Sequence, residues 1–408
     1  MDARCAVPWV VLLACAPPPV VESITPTQGP RDREVAVEIA GRGFATGAAA
    51  TLQGPAFSVS LRVDTIAGTA DAAQTISGAV PAGIEAGSYD VVVTNPDGAS
   101  ARLGGGYRAV AATLRIAVLD VGEGASLLAV GTDGSSLLVD GGKENRGINI
   151  VLPALRELAG NRLDAMVATH FDIDHIGGLV EVLRGPDNAA GTADDVVPAR
   201  GVWDNGGAAA CSTEVCARYR ELTGGRNQQL AVDQVIALGD ASARCVAVRG
   251  AITGGGQVTT SDDNADSVAL LFEFGGARLL VAGDLTGGGL GMADVETPLA
   301  QAIGHVDLWH LDHHGSATST AAGALALLSP RAALISVGTD NAFCHPAPEV
   351  LARLTAAGVP AYLTGAGVVT TSANCPQATQ LGDAMRVVGR IDIEIDAGGG
   401  ITVAGDTL

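Results

Sequence analysis

Lysine is nearly missing from this chain: Lys143 is the one lysine among 24 basic residues in 408. No run of basic residues occurs anywhere, and the formal charge is −20. Such a mean field repels nucleic acid and anionic membrane surfaces unless a local patch or bound cations offset it. That counts against tight polyanion binding, though not against hydrolysis of a polyanion at a metal centre. Aromatics make up 3% of the chain against 47% hydrophobic residues, so cores must be built from Val, Leu, Ile and Ala. Also absent are a GxSxG elbow, a P-loop and a GxGxxG after a strand, which removes several rival chemistries. Histidine is scarce too, with seven in all, yet "HFDIDH" places two of them and two aspartates within His170 to His175.

The length allows two or three domains, each with its own core. The first fifteen residues, "MDARCAVPWVVLLAC", read as an export signal. Arg4 is their only basic residue, and the apolar stretch from Ala6 to Ala14 is too short to cross a bilayer. "LLAC" resembles a bacterial lipoprotein signal, in which Cys15 is lipidated and residues 16–22 form a tether. A plain signal peptide or a misassigned start is the alternative, because Asp2 weakens the charged region. The chain is expected to be exported and lipid-anchored to the cell envelope, or else secreted, with the lipid as its only membrane contact. Export places the other five cysteines in an oxidising compartment. Cys211 and Cys216 close the short loop "CSTEVC" and form one expected pair; Cys344 and Cys375 form the second. Cys245 is left over.

Residues 23–110 hold short alternating runs such as "EVAVEIAGRGF" and "SYDVVVTNPDG", separated by Gly, Pro and Asp turns, the pattern of a small antiparallel sandwich. From residue 112 to 408 strands and helices alternate, which predicts an α/β domain carrying all seven histidines. The least regular part runs from about Gly185 to Asn264. Within it Asp187, Asp194 and Asp195 suit Ca²⁺, although a solvated acidic loop is the more economical reading because the full calcium-loop pattern is absent.

Four clusters sit at predicted strand ends. His170 and Asp172 project the same way from one strand, and Asp174 and His175 enter the following turn. "LLVAGD" delivers Asp284 into a Gly-flanked turn, "LWHLDHHGS" ends in His313 and His314, and "NAFCHP" presents His345 before a proline-initiated helix. Recurring strand-end His and Asp suit two divalent cations, as in two-metal hydrolysis. His305 and His310, with no such cluster, are assigned to core or surface.

In this order, "LDVGEGASLLAVGTDGSSLLVDGG", "ATHFDIDHIGGL", "NADSVALLFEFGGARLLVAGD", "LDHHGS" and "VGTDNAFCHPAPEVLARL" resemble the metallo-β-lactamase superfamily, nearest to the hydrolase domain of ComEC-type DNA-uptake proteins. The likeness implies an αββα sandwich with its metal site between the sheets. By that likeness His170, Asp172, Asp174, His175, Asp284 and His345 bind metal, and Asp284 bridges. His314 serves as ligand or proton donor, with the choice between His313 and His314 open. Asp140 buttresses the metal loop, and Asn264 stands where other branches carry a further histidine. Ala125 and Ser126 depart from the family's first motif, and no membrane channel accompanies the domain. The segments "VESITPTQGP", "VEIAGRGF" and "VPAGIEAGSYDVVVTNPDGAS" resemble the immunoglobulin-like IPT/TIG family, whose protein partner stays open.

The sequence thus predicts an exported hydrolase with two divalent metals, Zn or Mn, the aspartate-rich set making Mn²⁺ credible. Asp174 or Asp284 would orient the attacking water and His314 would serve the leaving oxygen. An anionic phosphodiester is the expected substrate, without tight nucleic-acid binding by the metal-free protein. A lactamase or lactonase acting on a neutral small molecule, and a non-catalytic metal-stabilised adhesin, are the other readings.

Overall fold

The computed structural model describes residues 18–408 apart from 32, 56, 70, 71 and 208–211. The expected signal, Cys15 and Cys211 lie outside the described residues. Two compact units divide between Ala112 and Thr113.

In the first unit, alternation does what a half-buried strand requires: in Val35–Arg42 the side chains of Val37 and Ile39 turn inward while Glu38 faces solvent. Val20–Thr25, Val35–Arg42, Gln74–Val80 and Arg62–Ala67 form one sheet. Gln28–Pro30, Ser100–Val110, Gly87–Thr94, Ala49–Gln53 and Ser58–Ser60 form the other. They enclose a core that includes Ile39, Leu52, Ile76, Val91 and Val93. Each such side chain contributes about 1.5–3 kcal/mol on burial. The first strand starts at Val20, so the end of the segment expected as a tether belongs to the sandwich: Val21 is buried in it and Ile24 anchors it.

The second unit holds two mixed sheets of nine and ten strands. In the first, Thr113–Val118, Leu127–Val130 and Ser136–Val139 run antiparallel, and Ala165–Val167 and Gly201–Asp204 continue it in parallel. All four residues of Leu127–Val130 are buried, as expected of a sheet covered on both faces. Helices α1 (Leu152–Ala159), α2 (Ile173–Leu183) and α3 (Glu214–Thr223) share one apolar cluster with Leu128, Leu138 and Met166. In the second sheet, Ala277–Val281, Leu308–His310, Ala332–Ile335 and Ala361–Leu363 run parallel. They share a second cluster with α4 (Glu296–Ile303), α5 (Ala322–Leu328) and α6 (Pro348–Ala357). The layers are therefore αββα. No helix among the described residues is long and apolar enough to cross a membrane.

The stretch from Gly185 to Asn264 is more regular than its sequence suggests. It supplies α3 and the eight-residue strand Ala241–Val248, which pairs with Ala269–Phe274 in the second sheet. Its first half alternates small Ala241, Ala243 and Cys245 inward against Ser242 and Arg244, which hides the strand from a hydropathy reading until Val246.

Candidate metal centre

The histidine and aspartate donors leave the fold beyond the carboxyl ends of parallel strands. Val167 leads to His170, Val281 to Asp284, His310 to the two following histidines, and Ile335 to the loop carrying His345. Such strand ends are where open α/β sheets place ligands. Asp174 and His175 lie in the first turn of α2, not in a free turn, and Asp172 is its N-cap. An N-cap aspartate ordinarily accepts a hydrogen bond from its own helix. Asp172 makes no such bond and turns its Oδ2 to within 3.7 Å of His170 Nε2.

The approach of α2 to the first sheet needs glycine. A Cβ on Gly178 would collide with the Gly141 carbonyl oxygen, and one on Gly124 with the Asp174 carbonyl. This close fit lets Gly141 N–H donate to His175 O (2.8 Å) and Gly178 N–H to Gly142 O (2.8 Å). Ser126, where the family pattern differs, donates to Asp140 O (3.0 Å).

Four imidazoles are oriented alike. His175 Nδ1 meets Asp140 Oδ2 at 2.8 Å, and His314 Nδ1 meets Ser336 O at 3.0 Å. His170 Nδ1 meets Thr169 Oγ1 at 3.0 Å, and His313 Nδ1 meets Thr318 Oγ1 at 2.9 Å. In each ring the other nitrogen, Nε2, turns toward the buried carboxylate of Asp284. Fixing Nδ1 and presenting Nε2 is how proteins prepare histidine for a metal.

Asp284 divides this set in two. Its Oδ1 lies 3.1 Å from His175 Nε2 and 3.5 Å from His314 Nε2. Its Oδ2 lies 3.9 Å from His170 Nε2 and 3.6 Å from His313 Nε2. Asp174 joins the first half through His314 (3.6 Å), and Asp172 the second through His170. Around a four-coordinate ion with bonds of about 2.0–2.1 Å, neighbouring ligand atoms stand about 3.4 Å apart. These separations bracket that value. His170, His175 and Asp284, and again Asp174, His175 and His314, place donor atoms within 4.8 Å of one another. His170 Nε2 and Asp284 Oδ1 are buried without a hydrogen-bond partner. Leaving such atoms bare in a protein interior is costly, so the donor set fits divalent cations.

Electrostatics agrees. Burial would raise the Asp284 carboxyl, but His175, His314 and His313 hold it well below its usual range. Burial likewise opposes the charge on His314, yet Asp284 and Asp174 lift it to about 10. Without a cation, protons on the histidines balance the buried carboxylates.

His313, which the sequence leaves open against His314, faces Asp284 directly. His345, expected as a ligand, belongs to neither three-residue cluster, nor do His313 and Asp172. Its ring stands beside the centre, with its centroid 5.6 Å from that of His313 and 5.9 Å from that of His314. Burial and those two histidines push its pKa down to about 3. The kink at His313 and His314, both with left-handed backbone, is what turns His313 inward. No spacing rule shows that kink. Asn264 joins neither group, and its Oδ1 is buried without a partner. Its neighbour Asp263 accepts from Phe171 N–H (2.7 Å). Asp140 accepts from Thr169 N–H and Oγ1 as well as from His175, placing it behind the metal loop.

Sequence reasoning missed Thr169, Thr318, Ser336 and Ser267, whose Oγ accepts from Asp284 N–H (3.2 Å) and lies 3.4 Å from His170 Nδ1. Thr169 adjoins His170 and could have been suspected; the others carry no local signal. His310 is a core residue bonded to Ser336 Oγ (2.8 Å), and His305 is an exposed one bonded to Leu328 O (3.1 Å). Asp187, Asp194 and Asp195 do not converge as a cation site among the described residues. Thr192 Oγ1 donates to Asp194 (2.7 Å) and stands within 3.4 Å of Asp187 and 3.2 Å of Asp195, so the acidic loop gathers around its own hydroxyl. Cys344 and Cys375 are disulfide-bonded, Cys216 is also bonded, and Cys245 is a buried free thiol.

Residues 119–339 match the metallo-beta-lactamase superfamily. The chain belongs to that superfamily and is a metal-dependent hydrolase of its fold. Competence protein ComA of Neisseria gonorrhoeae is 31% identical over 247 residues, covering 60% of this chain and 30% of that protein. Recombination protein 2 of Haemophilus influenzae is 27% identical over 246 residues, covering 59% and 26%. The match spans less than a third of the length of either relative. Among solved structures, CmlA, a diiron beta-hydroxylase from Streptomyces venezuelae, is 15% identical with a TM-score of 0.35, covering 62% of this chain and 53% of that one.

Proposed function

We propose that the chain is an exported two-metal phosphodiesterase of nuclease type. The division of Asp284 between two sets of histidines carries this reading, because it gives two cations one shared carboxylate. His170, Asp172, His313 and Asp284 Oδ2 would hold one, and Asp174, His175, His314 and Asp284 Oδ1 the other; Zn and Mn both suit these donors. Bound cations supply a nucleophilic water at neutral pH and neutralise charge developing on phosphorus. Asp174, through the carboxylate oxygen it does not give to a cation, would orient that water. His314 would give Nε2 to the second cation while Ser336 O holds its Nδ1, so the proton for the leaving oxygen would come from water. Asp140 keeps His175 in one tautomer.

The resemblance to DNA-uptake hydrolases, and relatives named for competence and recombination, favour a nucleic-acid phosphodiester. In the same reading residues 23–110 form an IPT/TIG-like spacer and Cys15 carries a lipid anchor. Both rest on sequence motifs. Purified protein reconstituted with Zn²⁺ or Mn²⁺ and offered oligonucleotides and bis(4-nitrophenyl) phosphate tests the activity. Cleavage that chelation abolishes supports it; turnover of lactams or lactones alone rejects it.

A further inference from the structure

Eight large apolar side chains are exposed among the described residues, and several sit on segments that carry or hold the metal donors. Ile173 (45% exposed) stands between Asp172 and Asp174, and Phe343 (62%) lies two residues before His345. Val369 (59%) lies on a loop whose N–H groups at 369 and 370 bond Asp340. Phe343 differs from the rest in being flat and firmly placed. Its ring centroid is 5.9 Å from that of His345, with planes 25° apart. The loop beneath it is fixed from both sides: Asn341 Oδ1 accepts from His345 N–H (2.9 Å), Asn341 Nδ2 donates to His345 O (2.6 Å), and Cys344 is bonded to Cys375. A rigid loop that leaves an aromatic ring in water forgoes the burial a ring usually gains.

Among the described residues few cationic groups border this site. Lys143, the only lysine, is paired with Glu123, and Arg220 lies over the Phe171 ring, 5.2 Å from its centroid, with its guanidinium bonded to Gly207 O. A polyanion drawn to this site has the cations for its scissile phosphate and few fixed positive charges besides, so uncharged surface adds to its affinity.

Resting on the phosphodiesterase reading, we infer that Phe343 is a stacking platform for the nucleobase next to the scissile phosphodiester, and that the substrate is therefore an unpaired strand. A base can lie on an exposed ring only when it has left its own stack, and such stacking is tolerant of sequence. Within an intact helix no base presents a free face except the terminal pair.

The test uses the full metal-loaded chain and a short single-stranded oligothymidylate. F343A should raise KM about tenfold, roughly 1.4 kcal/mol, with a smaller effect on kcat, and F343W should restore KM. The gap between wild type and F343A should narrow on an oligonucleotide lacking the base beside the cut. Wild type should favour the single strand over a duplex of the same sequence. Equal KM for F343A and wild type, or an equal loss on the abasic substrate, overturns the platform. If no phosphodiester is cut with any metal, the activity reading fails by itself. Anisotropy with fluorescein-labelled oligothymidylate then decides the platform: a tenfold weaker Kd in F343A upholds it and an unchanged Kd overturns it.

Discussion

Asp140 Oδ2 lies 2.8 Å from His175 Nδ1 while accepting from Thr169 Oγ1 at 2.7 Å, so one buried carboxylate sets two neighbours of the metal centre at once. Its own backbone is left-handed, a conformation few aspartates adopt, and its N–H is held by Val167 O (2.9 Å).

Asp140→Asn keeps the shape and loses the charge and one acceptor. Metal affinity should fall about 10- to 100-fold, measured by competition with a chromophoric chelator. Affinity equal to wild type would show that His175 needs no carboxylate behind it.

A second prediction concerns the loop of His345. The Cys344–Cys375 bond joins positions 31 residues apart and flanks the Asn341 clamp. Reduction should raise KM for single-stranded oligothymidylate, as F343A should, at concentrations of reductant that leave the domain folded by circular dichroism. Loss of about 3 kcal/mol or more of stability with unchanged KM would make the bond a brace for the fold alone.

Glu296 accepts from Thr320 N–H (2.7 Å) and Ala321 N–H (2.6 Å) and is bonded to Asp312, just before the paired histidines. Burial pushes its carboxyl from 4.5 up to about 7. A raised acid takes up a proton on folding, so its contribution is complete below pH 4.5 and is lost as pH rises through about 7. In metal-free protein, wild type should lose stability relative to E296Q as pH rises between these limits, with Asp312, raised by burial and by Glu296, sharing the titration. Chemical denaturation at several pH values measures the difference, and a pH-independent gap would contradict it.

Metal-free protein should bind single-stranded DNA weakly at physiological salt. With a charge of −20 there is no basic stripe to release counterions. Tight, steeply salt-dependent binding would mean that the phosphate backbone is read by arginines instead.

The alternation of strands and helices was legible because apolar strands and an amphipathic α1 announce themselves locally, while the αββα layering came with the resemblance. The metal motif was legible because His170, Asp172, Asp174 and His175 fall within six positions. The roles of His313 and His345 were not. Both are histidines on strand-end loops, and only the left-handed kink at His313 decides which of them meets Asp284. The strand Ala241–Val248 escaped because small residues bury as well as large ones once a sheet covers both faces. The hydroxyls of Thr318 and Ser267 are invisible for a third reason. They act through tertiary contact, with no pattern of their own.

The most direct measurement of the central claim is the metal content of purified protein, taken with phosphodiesterase activity on the same samples. Wild type should hold close to two divalent ions per chain, and Asp172→Ala close to one. Asp172 makes no helix-cap bond, so the variant should stay folded within about 0.5 kcal/mol. Activity should fall with the second ion. One ion per wild-type chain, or Asp172→Ala retaining both ions and full activity, would contradict a centre divided across Asp284.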